Sequence, residues 1–307
     1  MQAIVYTRYG SPDVLQLQEV AKPNPGIHDV LVKIRATSVT IGDIRMRKFD
    51  VPRMQWLFAR LYLGILKPKR PILGMELAGE VEAVGAAVTR FKPGDEVFGS
   101  TLRVGIGGYA QYKRLPEDAL LALKPANVTF EEAAAGPATG GVTALLNLRK
   151  VNVRSGQKVL IYGASGSVGT FAVQLAKDSG AEVTGVCSTA NLDMVKSLGA
   201  DEVIDYTQED FTRCGATYDL VFDAVGKLPS SLGKKSLNKT GIYLNVNNTS
   251  GKLTPEDLTH LKGMMEAGRI RSVIDRCYPL EATAEAHRYV EAGHKKGNVA
   301  ITVHHND

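Results

Sequence analysis

The stretch VLIYGASGSVG, residues 159–169, constrains the fold more than any other part of the chain. A short β-branched run enters a glycine-rich turn and gives way to TFAVQLAKDSG, whose Phe171, Val173, Leu175 and Ala176 suit a helix packed on a sheet. The same grammar continues downstream. AEVTGVCS reads as a strand, NLDMVKSLG as a helix, and DEVIDY, YDLVFDAVG and GIYLNV as strands. Such alternation predicts a parallel sheet covered by helices.

The earlier part of the chain is different. Residues 1–125 carry short alternating segments punctuated by Gly and Pro. In VLVKIRA, Val30, Val32, Ile34 and Ala36 share one face and Leu31, Lys33 and Arg35 the other. FKPGDEVFG adds a Pro93-Gly94-Asp95 turn feeding another strand. EEAAAGPATGGVTALLNLRK reads as a helix start, a glycine-proline interruption and a second helix. TPEDLTHLKGMMEAG predicts a helix with Thr254 as N-cap and Pro255 at its first position, PLEATAEAHRYVEAG another, and GNVAITV a last strand. The expected fold is α/β: a β-rich domain over 1–125 and an α/β domain over 126–269. Periodicity alone leaves the destination of the C-terminal return open.

At 307 residues there is chain enough for two cores. The formal charge of +5 helps attract an anion without identifying one, and no Lys/Arg run is dense enough for a nucleic-acid footprint. Cys187, Cys214 and Cys277 are widely spaced, which argues against a disulfide framework and a Cys-rich zinc site, and fits a reducing, cytoplasmic setting. No export signal follows Met1, and MQWLFARLYLGIL from Met54 is too short and too interrupted by Arg60 to span a bilayer. That stretch predicts either a buried or half-buried helix or an apolar lid over a substrate mouth.

A strict dinucleotide fingerprint is Gly-x-Gly-x-x-Gly; here Ala164 holds the first position, with Gly166 and Gly169 in the other two. The strand-turn-helix context is the one that the mechanism needs. Gly166 would let a pyrophosphate approach, Gly169 would let helix and strand pack closely, and the amides of Ser167 and Val168 would face the anion at the positive helix end. Gly163, Ala164, Ser165, Gly166, Ser167, Val168 and Gly169 are therefore the expected dinucleotide contacts. A ligand-free tight turn is the alternative. The next strand ends GVCSTAN, so Ser188 stands where an NAD site would carry an acidic residue. Ser188, Asn191 and Tyr206 can donate hydrogen bonds to a ribose phosphate, which favours NADP(H) as cofactor. Ser188 as a helix N-cap is compatible with that role.

These residues, with AAAGPATGGVTAL, FKPGDEVFG and GGYAQY, resemble the medium-chain dehydrogenase/reductase superfamily over nearly the whole chain. The nearest resemblance is to its zinc-free quinone oxidoreductase branch, which includes zeta-crystallin-like and enal-reducing enzymes. It implies a GroES-like catalytic domain, 1–125 completed by about 270–307, a Rossmann NADP(H)-binding domain over 126–269, and an active site in the cleft. Zinc ligands of the metal-dependent relatives would fall at Thr40, Met75 and Ala135, none of which holds zinc as a thiolate or imidazole does. No metal is therefore expected. YAQYK places Tyr109 and Lys113 at the Tyr-x-x-x-Lys spacing of short-chain dehydrogenases, but it precedes the glycine turn and reads as a strand, so the match is read as chance.

The reaction so implied is hydride transfer from NADPH to a quinone or to the β-carbon of an enone or enal. By resemblance Thr40 would donate a hydroxyl hydrogen bond and Arg45 would stabilise an oxyanion, although relatives more often carry Asn and a Lys or aromatic residue there. A surface ion pair is the alternative for Arg45. Asp43 would order the loop. Thr139, Val225, Asn245 and Lys296 would contact the cofactor. The family's longer segment between GIYLNVNNTS and TPEDL is reduced to Gly251-Lys252-Leu253, which leaves a homodimer open. Partners are thus a small-molecule quinone or enal/enone substrate, with no nucleic acid and no membrane. A non-catalytic NADPH-binding regulator or structural protein, and a zinc alcohol dehydrogenase, are the competing functions.

Overall fold

The computed structural model describes residues 1–51, 56–65, 67–251 and 253–305. The chain forms two compact units, Met1–Ala138 with Ile274–Asp307, and Thr139–Val273.

In the first unit, β1 (Gln2–Val5) pairs antiparallel with β2 (Gln16–Glu19). β3 (Asp29–Ser38) is the hub of the larger sheet, and Val30, Val32, Ile34 and Ala36 are fully buried as the alternation predicts. Thr40 then caps α1 (Ile41–Lys48), and the chain leaves that helix through Phe49 in the left-handed region, φ 57°. α2 (Trp56–Leu63) follows, then β4 (Glu76–Val84), β5 (Glu96–Ser100), β6 (Tyr112–Pro116), β7 (Leu121–Leu123) and α3 (Phe130–Ala134). β4 and β6 pair antiparallel with β3, and β5 carries the sheet on from β4 to β7. α3 packs on β3, β4 and β5, so the unit runs to Ala138, past the expected boundary at 125.

α2 departs from the expectation of a buried helix. Trp56 is 48% exposed, Leu57 62% and Leu61 53%. Arg60 anchors it, with its guanidinium 3.9 Å from the Phe49 ring centroid, 5.1 Å from Trp56 and 5.2 Å from Tyr9. Met54 and Gln55, and the side chains of Phe58 and Tyr62, lie outside the described residues.

The second unit begins with α4 (Val142–Val151) and continues β8 (Lys158–Tyr162), α5 (Ser167–Asp178), β9 (Glu182–Cys187), α6 (Leu192–Ser197), β10 (Glu202–Asp205), β11 (Tyr218–Asp223), α7 (Ser230–Lys235), β12 (Leu237–Asn245) and α8 (Pro255–Glu266). Its sheet runs β10-β9-β8-β11-β12 with every pairing parallel. The β-branched runs fill its centre, where Val159, Leu160, Ile161, Val221 and Phe222 are fully buried. The chain steps outward from β8 to β9 and β10, then crosses back to β11 on the other side. The carboxyl ends of β8 and β11 therefore flank a topological switch point, where open α/β sheets place ligands. Among the described residues the sheet ends at β12; Lys252, in the shortened connection, lies outside them.

The return passes through β13 (Ile274–Pro279), α9 (Thr283–Glu291) and β14 (Asn298–Thr302). β14 pairs with β13 and, antiparallel, with β3, so the C-terminal segment completes the first unit's sheet. The expected end of the second domain at 269 moves to Val273, since Gln174 of α5 still bonds the backbone of Arg271 at 2.8 and 3.0 Å. Among the described residues no helix is long and apolar enough to cross a membrane.

Candidate functional site

In the second unit, local sterics build the site. Gly163 takes a φ of +78°, and a Cβ there would stand 2.0 Å from Val225 Cγ2, so the turn after β8 lies against the loop after β11. The amides of Gly163 and Ala164 donate to the Val186 carbonyl, both at 3.0 Å, which ties the turn to β9. A Cβ on Gly169 would stand 2.1 Å from the Gly163 carbonyl oxygen, whereas one on Gly166 would meet nothing closer than 3.5 Å. The two glycines thus differ in role: Gly169 permits the close packing of α5 on the turn, and Gly166 keeps an approach open.

Ser167, Val168 and Gly169 are the first three residues of α5 and have no carbonyl one turn back to bond. Gly166 is the N-cap and has no side chain to cap with. Gly140 approaches from the other side, where a Cβ would lie 2.5 Å from Ser167 Oγ, which brings Thr139 alongside the same helix end. Bare amides backed by the positive end of a helix dipole are the arrangement that an anion site requires.

The end of β9 supplies a polar cluster. Asn191 Nδ2 donates to Ser188 Oγ at 3.0 Å and to Ser165 Oγ at 3.4 Å, joining the glycine turn to the strand end. Asn191 Oδ1 is buried with no partner among the described residues, an unmet acceptor in the cluster. Ser188 precedes the short 3-10 turn Thr189–Asn191, and its side chain makes no capping bond there. Tyr206 is 55% exposed, and its amide is held by the Cys187 carbonyl at 3.1 Å. The neighbouring carboxylate, Asp205, is occupied: it accepts from the hydroxyls of Thr189 and Thr207, and the Thr189 bond leads in holding it below the usual range.

Sequence reading missed Asp223. Fully buried at the end of β11, it accepts from the amides of Val225 at 3.0 Å, Gly226 at 2.8 Å and Leu228 at 2.9 Å, and so sets the loop that presents Val225. Asn245 Nδ2 donates to the same carboxylate at 3.0 Å, so Asn245 braces this loop from β12. The run FDAVG carries the signal, as an acid directly after a buried strand at a turn.

In the first unit, Thr40 and Asp43 form a reciprocal capping box. Asp43 Oδ2 accepts from the Thr40 amide at 3.0 Å and its hydroxyl at 2.6 Å, and Thr40 Oγ1 accepts from the Asp43 amide at 3.1 Å. Asp43 Oδ1 accepts from the Gly74 amide at 2.9 Å. The Thr40 hydroxyl proton is therefore committed to Asp43. Burial pushes the Asp43 carboxyl up to about 6 against four hydrogen bonds that favour its ionised form. Arg45 is exposed on the far turn of α1, and its carbonyl accepts the Asp50 amide at 2.8 Å. Lys296 also belongs to this unit, its amide donating to Asp275 at 3.0 Å. Its neighbour Lys295 is also half-buried, and desolvation lowers it to about 8.

The zinc positions do not fit a zinc ion. Thr40 offers a hydroxyl 3.4 Å from the Met75 thioether, and Ala135 offers no ligand atom, so the three positions themselves supply no thiolate or imidazole.

The family model for the alcohol dehydrogenase GroES-like domain matches residues 26–125, and that for zinc-binding dehydrogenase matches residues 167–271. The chain is 34% identical to a 2-methylene-furan-3-one reductase of Solanum lycopersicum, over 98% of this chain and 79% of that one. The chain belongs to the medium-chain dehydrogenase/reductase superfamily. It is also 32% identical to an NADPH-dependent alkenal/one oxidoreductase of Arabidopsis thaliana, over 98% of this chain and 79% of that one. Its fold matches the quinone oxidoreductase of Coxiella burnetii with a TM-score of 0.84 at 27% identity, covering 99% of each chain. The family thus carries zinc-binding in the name of one domain while this member's residues depart from the metal ligands.

Proposed function

We propose that this protein is a zinc-independent reductase that transfers a hydride from NADPH to a quinone or an α,β-unsaturated carbonyl. The observation that carries the reading is the bare amide end of α5 at the sheet's switch point, with Ser188, Asn191 and Ser165 clustered beside it. Bound there, the cofactor would supply the hydride and its two electrons. The amides of Ser167, Val168 and Gly169 would hold the pyrophosphate. Ser188, Asn191 and Tyr206 would hold the ribose phosphate, and Thr139, Val225 and Asn245 the rest of the nucleotide. Thr40 and Arg45 would stabilise charge developing on the acceptor oxygen, with Lys296 as a cofactor contact from the first unit. The relatives named for alkenal/one and quinone reduction support this substrate class.

The test is a panel of quinones, enals and enones run with NADPH and with NADH, on the wild type and on Ser188→Asp. Turnover with NADPH is expected. The new carboxylate would weaken NADPH binding by at least about tenfold, a like-charge penalty of roughly 1.4 kcal/mol, and change NADH binding much less. An equal loss for both cofactors would remove Ser188 from the phosphate site. NADPH binding without turnover of any acceptor would instead favour a regulatory or structural role.

A further inference from the structure

Thr40 does not act alone, because behind its hydroxyl runs a buried file of polar side chains from three separate parts of the chain. Asp43 from α1 and Tyr109 from the segment before β6 face each other closely enough to couple electrostatically, and both are fully buried. The Tyr109 hydroxyl lies 3.1 Å from His287 Nε2 of α9, which is also fully buried. His287 Nδ1 has no partner among the described residues. An unpartnered lone pair costs less than an unpartnered N–H, so the proton resides on Nε2 and is donated to Tyr109. Tyr109 turns its own proton toward the Asp43 side, where it favours the ionised carboxylate. Every donor in the file, the Thr40 hydroxyl included, points toward one carboxylate.

That arrangement has a chemical consequence. While Asp43 is ionised it takes the Thr40 proton, and Thr40 has none to offer elsewhere. Once Asp43 is protonated it can donate to Thr40 Oγ1, and the Thr40 proton is free to turn outward. We propose that Asp43 is the positioning and proton-holding residue of the reductase, which makes Thr40 a proton donor to the acceptor oxygen only when Asp43 itself carries a proton. This rests on the reading above that Thr40 faces the acceptor.

The step balances. With NADPH bound, hydride arriving at the β-carbon would leave a negative charge on the acceptor oxygen. The Thr40 O–H bond breaks as an O–H bond forms on that oxygen. The Asp43 O–H bond breaks as the Thr40 O–H bond re-forms, which leaves Asp43 a carboxylate. A solvent proton restores it, and the enol product converts to the ketone in water. The groups facing Asp43 are Tyr109 and Tyr6, both held protonated by burial, with Arg47 and Glu76 beside Tyr109. Burial and the Arg47 charge hold His287 down at about 3, so it stays neutral through the working range. The residue that titrates there is Asp43, which burial places at about 6.

The test is the pH dependence of single-turnover enone reduction between pH 5.5 and 8, with bound NADPH, for the wild type, Thr40→Ser, Thr40→Val, Asp43→Asn and Tyr109→Phe. In parallel, ¹³C-aspartate-labelled protein without cofactor is titrated by NMR. The wild-type rate is expected to climb about tenfold per pH unit on descending toward 6 and then to level, with Thr40→Ser alike. Thr40→Val and Asp43→Asn are expected to be flat in pH and about 100-fold slower at pH 6. Asn keeps a carbonyl for the Gly74 amide but sets an NH2 group against the Thr40 amide, so a thermal melt of each variant accompanies its kinetics. Tyr109→Phe removes a group that favours the ionised carboxylate and would move the midpoint upward. A carboxyl resonance titrating near 6 and missing from Asp43→Asn is expected. Turnover with a wild-type slope in Thr40→Val or Asp43→Asn would overturn the proposal alone. A wild type that reduces no acceptor at any pH would overturn the functional reading and this proposal with it.

Discussion

Gly169→Ala is expected to lose both tight NADPH binding and part of the fold, whereas Gly166→Ala loses binding alone. The new methyl at 169 would sit 2.1 Å from the Gly163 carbonyl oxygen and 2.8 Å from Ala164 Cα, and both are backbone atoms that no side-chain rotation can relieve. Overpacking of this kind typically destabilises by about 1–3 kcal/mol. It also shifts the turn that carries the anion-binding amides, so the dissociation constant for NADPH should rise by at least about tenfold. At Gly166 the nearest atom is 3.5 Å away, an ordinary contact, so the protein should melt as the wild type does. Its methyl would instead occupy the approach to the pyrophosphate. Thermal melts with fluorescence titration of NADPH separate the two outcomes. Unaltered binding in Gly166→Ala would mean that the phosphates lie elsewhere.

The second large effect is structural. Arg47 has a side chain with no solvent exposure, and Glu291 of α9 is its ion-pair partner, 30% exposed and also bonded by Lys48. Arg47 Nε and Nη1 have no partner among the described residues. Glu291→Ala would leave a buried guanidinium without its counter-charge, a loss of about 3–5 kcal/mol in chemical denaturation. Arg47→Met removes the charge along with its need for a partner and should cost far less. If both variants lost the same amount, the pair would act as packing rather than as a charge pair. The Lys48 contact, exposed to solvent, adds little of its own.

Sequence alone made the glycine turn legible because every requirement there is local. A strand must end, a backbone must turn tightly, and a helix must start without a side chain in the way, all within residues 159–169. Alternating strands and the cap of α8 were legible on the same grounds, and Thr254 does precede Pro255 with a reciprocal bond to Asp257. The file from Thr40 to His287 was not legible, since residues 43, 109 and 287 meet only through the fold and share no spacing. Tyr109 drew notice for its distance from Lys113, yet Lys113 Nζ donates to the Ile106 carbonyl, while the tyrosine turns to Asp43 and His287. The Ala138 boundary was hidden for a related reason: α3 follows the strands in sequence and reads as the start of the next domain, but its buried alanines cover the first sheet.

The central claim is that hydride moves from NADPH to an activated acceptor without a metal. It is tested most directly by following deuterium from C4-labelled NADPH in chelator-treated protein with an enone acceptor. The account predicts label on the β-carbon of the saturated ketone, at a rate that chelation and added zinc leave unchanged. Activity that chelation abolishes and zinc restores would contradict it, as would an unlabelled ketone together with no reduction of quinones.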